Sequence, residues 1–470
     1  MKKLLLILLC LPIIGFGQQT NVTDDYIKIS GTVIDELTSN PLPYVNFSTE
    51  TNLGTISNID GRVVFKYPKE FINSSLYISS IGYKTSIVTL PEVDTEDMSF
   101  SLMPDTFNIS EVTVMPLKGK DIIAMAIENI PNNYHDSIIF MDVFYRKILN
   151  TEMSLELRSK EFYFRDIPIN MLKEAALTMK KLPVKTKSKK DLLRVNAFRH
   201  EREKDGGADS IITLFKEIIT PHLDSLERTE FDSVAMVLVE DLSNQTLSKD
   251  DTWEFDQFDL IGNRKGHAVL SNKGLKKQIF ELGDIVRYND RQTYVINTYP
   301  KSCKKHCYFK GEIYIDVESY AFVKEHYFLP ECDKCFEEAK FLGMTRKGVF
   351  AEVDVIYKKY KSFWGLSHFS YRDIQNRKIG KLMFAPLYLV LKLKGQLKKE
   401  LKHYFPRSLY FRRAQTIEFF VNDIYTDDEI GFGGDNTMEE TVVDEINADN
   451  KDIWGKYNYL EHPIENKNKK

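Results

Sequence analysis

Ile29-Ser-Gly-Thr-Val33-Ile-Asp-Glu36, Pro41-Leu-Pro-Tyr-Val-Asn-Phe47, Ser57-Asn-Ile-Asp60-Gly61-Arg62 and Leu76-Tyr-Ile-Ser-Ser80-Ile-Gly82-Tyr83-Lys84 are successive pieces of one stretch, residues 29–85. Ile27, Ile29, Gly31 and Val33 alternate with polar neighbours, as a half-buried strand requires. Val63, Phe65 and Tyr67 repeat that alternation after the turn chemistry of Asn58-Ile59-Asp60-Gly61. Asn40-Pro41-Leu42-Pro43 interrupts the first strand, and Met98-Ser-Phe100-Ser-Leu102 supplies another. Short alternating runs separated by turn residues at intervals of roughly 8–12 residues predict a small β-sandwich. Asp60 and Gly61 are read as its turn residues rather than as a calcium or catalytic group, because a lone Asp-Gly lacks a calcium loop's series of ligands. Gly82, inside a strand-like run, predicts a bulge or a close backbone approach.

The order of these pieces resembles the carboxypeptidase regulatory-like domain, a transthyretin-like sandwich, here over residues 27–115. That resemblance implies a protein of the bacterial cell envelope and a recognition role, and it names no substrate. Asn108-Ile-Ser-Glu111-Val-Thr-Val114 is similar to the segment that joins such a domain to the plug and barrel of TonB-dependent receptors. A plug and a barrel of about 22 strands, each of about 9–11 residues, need several hundred more residues than follow, so that architecture is excluded on length.

Working outward, Lys2 and Lys3 precede the apolar run Leu4 to Ile14, and Gly15-Phe16-Gly17 follows. This is the pattern of a secretory signal peptide, residues 1–17, cleaved after Gly17. The expected location is outside the cytoplasm, in the periplasm or at the outer membrane. Leu9 before Cys10 argues against a lipidated cysteine. No later apolar run reaches about 18 residues, so no transmembrane helix is expected. Hydrophobic residues at 43% and aromatics at 12% suffice for real cores, and 470 residues call for more than one domain. A net charge of -4 gives no electrostatic case for a nucleic-acid partner.

Residues 116–425 read as an α+β domain with a large antiparallel sheet. Asp121 to Ile130 shows helical spacing in Ile122, Ala126 and Ile130, and Pro131 is expected to end that helix. Ile-Pro-Asn-Asn-Tyr134 followed by a strand, 138–147, carrying Phe144-Tyr145-Arg146 resembles a family of secreted proteins in which a regulatory-like domain precedes an uncharacterised α+β region. Residues 151–165 are strand-like, 211–219 and 223–226 are helical in pattern, and the basic run 180–194 reads as a solvated loop or helix face. Strand candidates follow at 294–299, 308–316, 320–329, 349–360, 363–371, 409–411 and 416–421, mostly as an antiparallel meander. The pattern Gly311-Glu-Ile-Tyr-Ile-Asp316 is similar to periplasmic lipoprotein-carrier sheets, which implies a lipid as one alternative ligand. Residues 426–470 form an acidic tail, 427–452, with an aromatic clasp, Trp454 to Leu460, for the main domain.

The four cysteines beyond the signal sequence, Cys303, Cys307, Cys332 and Cys335, carry the strongest chemical pattern. In an oxidising compartment disulfides are their expected use. If Asp316 to Tyr320 is a hairpin turn, residues facing each other have positions summing to about 637, close to the sums for Cys303–Cys335 and Cys307–Cys332. That nested pairing needs one register, whereas Cys303–Cys332 with Cys307–Cys335 needs two; a zinc site and redox use of Cys332-Asp-Lys-Cys335 are the other readings. His200-Glu-Arg-Glu203 has the spacing of two zinc ligands in metallocarboxypeptidases but lacks a third, so neither a metal nor a catalytic residue is assigned. No cofactor is expected. The reading is a non-catalytic envelope protein that binds a partner protein, an outer-membrane component or another envelope ligand, with a periplasmic peptidase-like hydrolase or a lipid carrier as alternatives.

Overall fold

The structure is a computed structural model that describes residues 26–51, 53–105, 117–135, 139–157, 167–181, 193–205, 257–289, 291–303, 308–330, 335, 339–341, 344–380, 406–426, 439–440, 454 and 458–461. The expected signal sequence with Cys10, the 108–114 segment, the helical patterns at 211–226, most of the basic run, Cys307, Cys332 and most of the acidic tail lie outside the described residues.

The alternating pieces of the opening stretch form two small sheets. Strands β1 (Tyr26–Asp35), β4 (Arg62–Pro68) and β7 (Thr95–Leu102) make one, in the order β4-β1-β7, with β1 and β7 parallel. Strands β2 (Asn46–Ser48), β3 (Gly54–Ile56), β5 (Ser75–Ser79) and β6 (Ser86–Thr89) make the other, in the order β3-β2-β5-β6. Ile27, Ile29 and Val33 from β1 and Val63, Phe65 and Tyr67 from β4 meet Phe47, Leu76 and Ile78 in a single core. In β1 the alternation read from the sequence is thus the alternation of buried and accessible side chains, whereas β4 is buried on both sides from Val63 to Tyr67.

At the predicted turn, Asn58 Oδ1 accepts from the backbone N–H groups of Asp60 and Arg62, both at 2.9 Å. Gly61 takes φ +73°, which a side chain would strain, and a Cβ there would meet the Val33 carbonyl at 2.7 Å. Gly82 corrects its expectation. It sits in a turn with φ +81° and open space where a Cβ would be, so conformation rather than crowding selects glycine. Its N–H donates to the Arg287 carbonyl, which ties this turn to the larger domain.

Helix α1 (Gly119–Glu128) buries Ile122, Ile123 and Ala126. Pro131 does not terminate helical structure; it opens the one-turn helix α2 (Ile130–Asn133), where its missing N–H costs nothing. Then come β8 (Ile139–Leu157), β9 (Ile167–Lys181) and β10 (Leu193–Asp205), followed later by the short helices α3 (Leu260–Asn263) and α4 (Asn272–Lys277). Ser271 caps α4 by accepting from Gly274 N–H. The meander β11 (Gln278–Tyr288), β12 (Arg291–Pro300), β13 (Lys310–Asp316), β14 (Phe322–Phe328), β15 (Ala339–Phe341), β16 (Met344–Tyr360), β17 (Phe363–Gly380) and β18 (Pro406–Thr426) follows, with β19 (Glu439–Glu440) at the far edge. These strands form one 12-stranded sheet, ordered β11-β12-β13-β14-β16-β17-β18-β8-β9-β10-β19, with β15 beside β16. The chain therefore returns from β18 to pair with β8, the first strand of the sheet.

One sequence reading changes here. Residues 180–181 and 193–194, the described ends of the basic run taken as a solvated loop or helix face, lie in strands β9 and β10. His200 and Glu203 lie within β10, so the His-x-x-Glu spacing sits on an extended chain.

Candidate functional site

Because side chains alternate along a strand, every strand of the large sheet contributes to two faces. One face carries Val143, Tyr145, Ile313, Ile315, Val353, Val355, Phe369 and Phe419, packed against α1 and the 258–270 segment. Glu325 is fully buried on it. Tyr327 Oη and Tyr357 Oη donate to its carboxylate at 2.6 and 3.2 Å, and His267 Nε2 lies 3.1 Å away. His267 Nδ1 accepts from the N–H groups of Val269 and Leu270, which leaves its proton on Nε2, facing Glu325. Burial, with Glu325 next, pushes both tyrosine hydroxyls well above their ordinary range. This cluster closes the core around one carboxylate.

The other face is different in kind. Register places Glu312 opposite His326, His326 opposite Asp354, Asp354 opposite Ser370, Ser370 opposite Glu418, and Glu418 opposite Arg146. A transverse polar row thus crosses β13, β14, β16, β17, β18 and β8. Apolar Ile356, Phe420 and Phe144 flank it and pack with Tyr44 and Ile56 of the sandwich and with Trp454 and Leu460. The sandwich, Trp454 and residues 458–461 of the tail meet at this face, forming a seam.

Arg146 is the hub of the seam and is fully buried. Its Nε and Nη2 donate to Glu418 Oε2 at 2.8 and 2.6 Å, while Nη1 donates to the carbonyls of Leu460 and Glu461 at 2.8 and 2.7 Å. Asn458 fastens the same segment to the sandwich. Its Oδ1 accepts from Lys66 N–H, and its Nδ2 donates to the carbonyls of Gly54 and Lys66. Asn58 Nδ2, from the predicted turn, donates to the Glu461 carbonyl at 3.0 Å. Arg62 pairs with the Glu461 carboxylate at 2.6 Å, and the Lys66 ammonium lies 4.9 Å from the Tyr459 ring centroid.

Further along the row the groups become partly accessible. His326 Nδ1 is 3.0 Å from Asp354 Oδ1, its Nε2 is 3.8 Å from Glu352 Oε1, and Lys324 Nζ is 3.3 Å from Asp354. Arg372 pairs with Glu352. Burial alone raises the Asp354 carboxyl, but Lys324 and His326 outweigh it and hold the group well below the usual carboxylate range. His368, completely buried, lies with its ring tilted against that of Tyr44 of the sandwich, the centroids 4.6 Å apart. Neither of its ring nitrogens makes a hydrogen bond. Burial pushes its pKa down to about 4, with Glu418 and Asp354 opposing.

Sequence reasoning assigned none of His326, Glu352, Asp354, His368, Arg146 or Glu418 a role, since these residues meet only through cross-strand register. Asp60 and Gly61 form the turn that brings Asn58 and Arg62 to the tail segment. The hairpin register is nearly as expected, with facing positions in β13 and β14 summing to 638 from Lys310↔Phe328 to Tyr314↔Lys324. The nested pairing of the cysteines reaches beyond the described residues, which include neither Cys307 nor Cys332. The ladder between β13 and β14 ends at Lys310, and Lys301 N–H instead donates to the Lys277 carbonyl, which holds the chain before Cys303 against α4.

Residues 29–114 match the CarboxypepD_reg-like domain family, and this stretch of the chain is such a domain. No curated protein matches the chain. Similar solved structures include a candidate outer membrane lipoprotein-sorting protein domain from Vibrio parahaemolyticus, at 9% identity over 67% of this chain and 95% of that chain, with a TM-score of 0.22. A LolA superfamily protein from Nitrosomonas europaea matches at 7% identity over 66% of this chain and 94% of that one, TM-score 0.18. MucB in complex with MucA(peri) matches at 7% identity over 64% and 92%, TM-score 0.18. These likenesses are too distant to speak for what this chain binds.

Proposed function

We propose that this chain is a non-catalytic protein of the cell envelope in which the regulatory-like sandwich, the large sheet and the 454–461 segment form one binding unit for a partner protein or another envelope ligand. The observation that carries this reading is the buried Arg146 hub. A charged group held by Glu418 and by two tail carbonyls costs too much desolvation to serve a loose linker between independent modules. It fixes the sandwich on the polar face of the sheet, leaving the accessible end of that face beside a recognition module. The basic and apolar N-terminal pattern supports export. No helix among the described residues is long and apolar enough to cross a membrane.

The cysteines serve the same rigidity as disulfides, Cys335 among the bonded ones. Non-reducing peptide mapping tests this, and free thiols at all four positions in protein isolated from the envelope overturn it. The envelope reading is tested by fractionation with cross-linking in cells through residues introduced at Lys324 and Arg372. One discrete cross-linked species in the envelope fraction supports it. Accumulation in the cytosol, or peptide hydrolysis by the purified chain, overturns it. Native mass spectrometry after mild purification separates a protein partner from a co-purifying lipid.

A further inference from the structure

We propose that His326, Glu352 and Asp354 form a binding site for a divalent transition metal of the zinc class, at the accessible end of the polar row. This goes beyond the envelope reading and stands independently of it.

One ligand atom from each of the three side chains lies within 4.8 Å of the others. The set is one imidazole nitrogen and two carboxylate oxygens, the mixed donor set that zinc accepts and that magnesium or calcium, which take oxygen alone, do not favour. All three stand on adjacent strands, His326 on β14 directly opposite Asp354 on β16, with Glu352 two residues along the same face. Ligands carried by a hydrogen-bonded ladder are held near one geometry before the ion arrives. The side chains of His326 and Glu352 are 24% and 19% exposed, so an ion reaches them from solvent, while Asp354, at 5%, forms the floor.

A second observation points the same way. His368 lies on the same face, two residues along β17 from Ser370, the residue opposite Asp354. Asp354 and Glu418 both act on its imidazole. It is completely buried with neither nitrogen hydrogen-bonded, and a buried polar group in that state calls for a partner such as a water or an ion. Without metal, Lys324 and Arg372 neutralise the two carboxylates. Both cations are partly exposed, at 24% and 28%, so they withdraw into water when a dication takes their place.

The test is zinc titration of the purified full chain by calorimetry, with metal content after dialysis. One zinc per chain is expected, with binding abolished in His326→Ala and in Asp354→Asn, and retained in His200→Ala. Far-UV circular dichroism without metal shows whether these variants are folded. Arg372→Met and Lys324→Met provide a readout that misfolding does not mimic, since each removes a competing cation. Each should tighten zinc binding by up to about fivefold, the worth of one partly exposed ion pair that no longer has to be broken. A closed ion-pair network with no metal affinity, zinc binding that survives His326→Ala, or no gain in either methionine variant overturns the proposal.

Discussion

The two faces of the large sheet are built from the same strands, yet they handle buried polar groups in opposite ways. On the helix-covered face, Glu325 gathers Tyr327, Tyr357 and His267 around one carboxylate, all supplied by the domain itself. On the seam face, Arg146 takes half its bonds from Glu418 of the sheet and half from the tail carbonyls of Leu460 and Glu461. The first face is self-sufficient. The second is complete only when the sandwich and the tail segment are in place, and its buried His368 lacks a hydrogen-bond partner even then. Completion from outside the sheet is what sets that face apart.

The largest effect expected from this contrast comes from Arg146→Met. It leaves Glu418 buried and uncompensated, which costs about 3–5 kcal/mol, measured by urea unfolding. Adding Glu418→Leu should recover much of that loss, while limited proteolysis still shows the 454–461 segment released. A double variant no more stable than the single one breaks the account of Arg146 as a hub.

Acid should act next, through the seam. His368 is held down to about 4 from an ordinary 6.5, a displacement worth about 3 kcal/mol. Between those values the unfolded chain takes up the proton before the folded one does. Stability is therefore whole above pH 6.5 and falls as the pH drops towards 4. The groups that act on this imidazole are Glu418, Asp354, Lys324 and Arg146. His368→Phe should flatten this part of the melting-temperature profile, and an unchanged slope refutes the assignment.

On the opposite face, Glu325→Leu strands the hydroxyls of Tyr327 and Tyr357, with an expected cost of about 1–3 kcal/mol for each unsatisfied group. That loss should appear in global unfolding with no selective release of the tail segment. Selective release would erase the distinction between the faces. The smallest effect belongs to Arg62→Ala at the rim. The Arg62 side chain is 43% exposed, so loss of its pair with Glu461 should cost no more than about 1 kcal/mol in chemical denaturation.

How much of this could be read from the sequence follows from the range of the interactions. The sandwich strands were legible because Ile27, Ile29 and Val33 alternate locally, and a strand's period needs only neighbours. Strands β12 to β14 and β16 to β17 were legible for the same reason, helped by aromatic and β-branched residues. Strands β9 and β10 were not, because Lys173-Glu-Ala-Ala and His200-Glu-Arg-Glu-Lys204 favour solvent or helix by composition, and only pairing with β8 makes them extended. The seam was invisible for a stronger reason. Arg146 and Glu418 are 272 residues apart, and nothing local says that β18 returns to lie beside β8. The aromatic cluster at Trp454 stood out, but the surface it covers did not. The cysteines show the limit of register reasoning, since the β13–β14 ladder stops at Lys310, seven residues beyond Cys303.

The carbonyls of Leu460 and Glu461 on Arg146 also set an order of events. A ribosome makes β8 more than 300 residues before it makes the segment that completes the arginine's bonding. During that interval the sandwich has no fastened seat, and Phe144 and Phe420 lack the cover of Trp454 and Leu460. The last-made stretch of the described chain thus works as a molecular bolt. Until it slides home, the protein exposes an apolar, charged groove of the kind that folding helpers recognise.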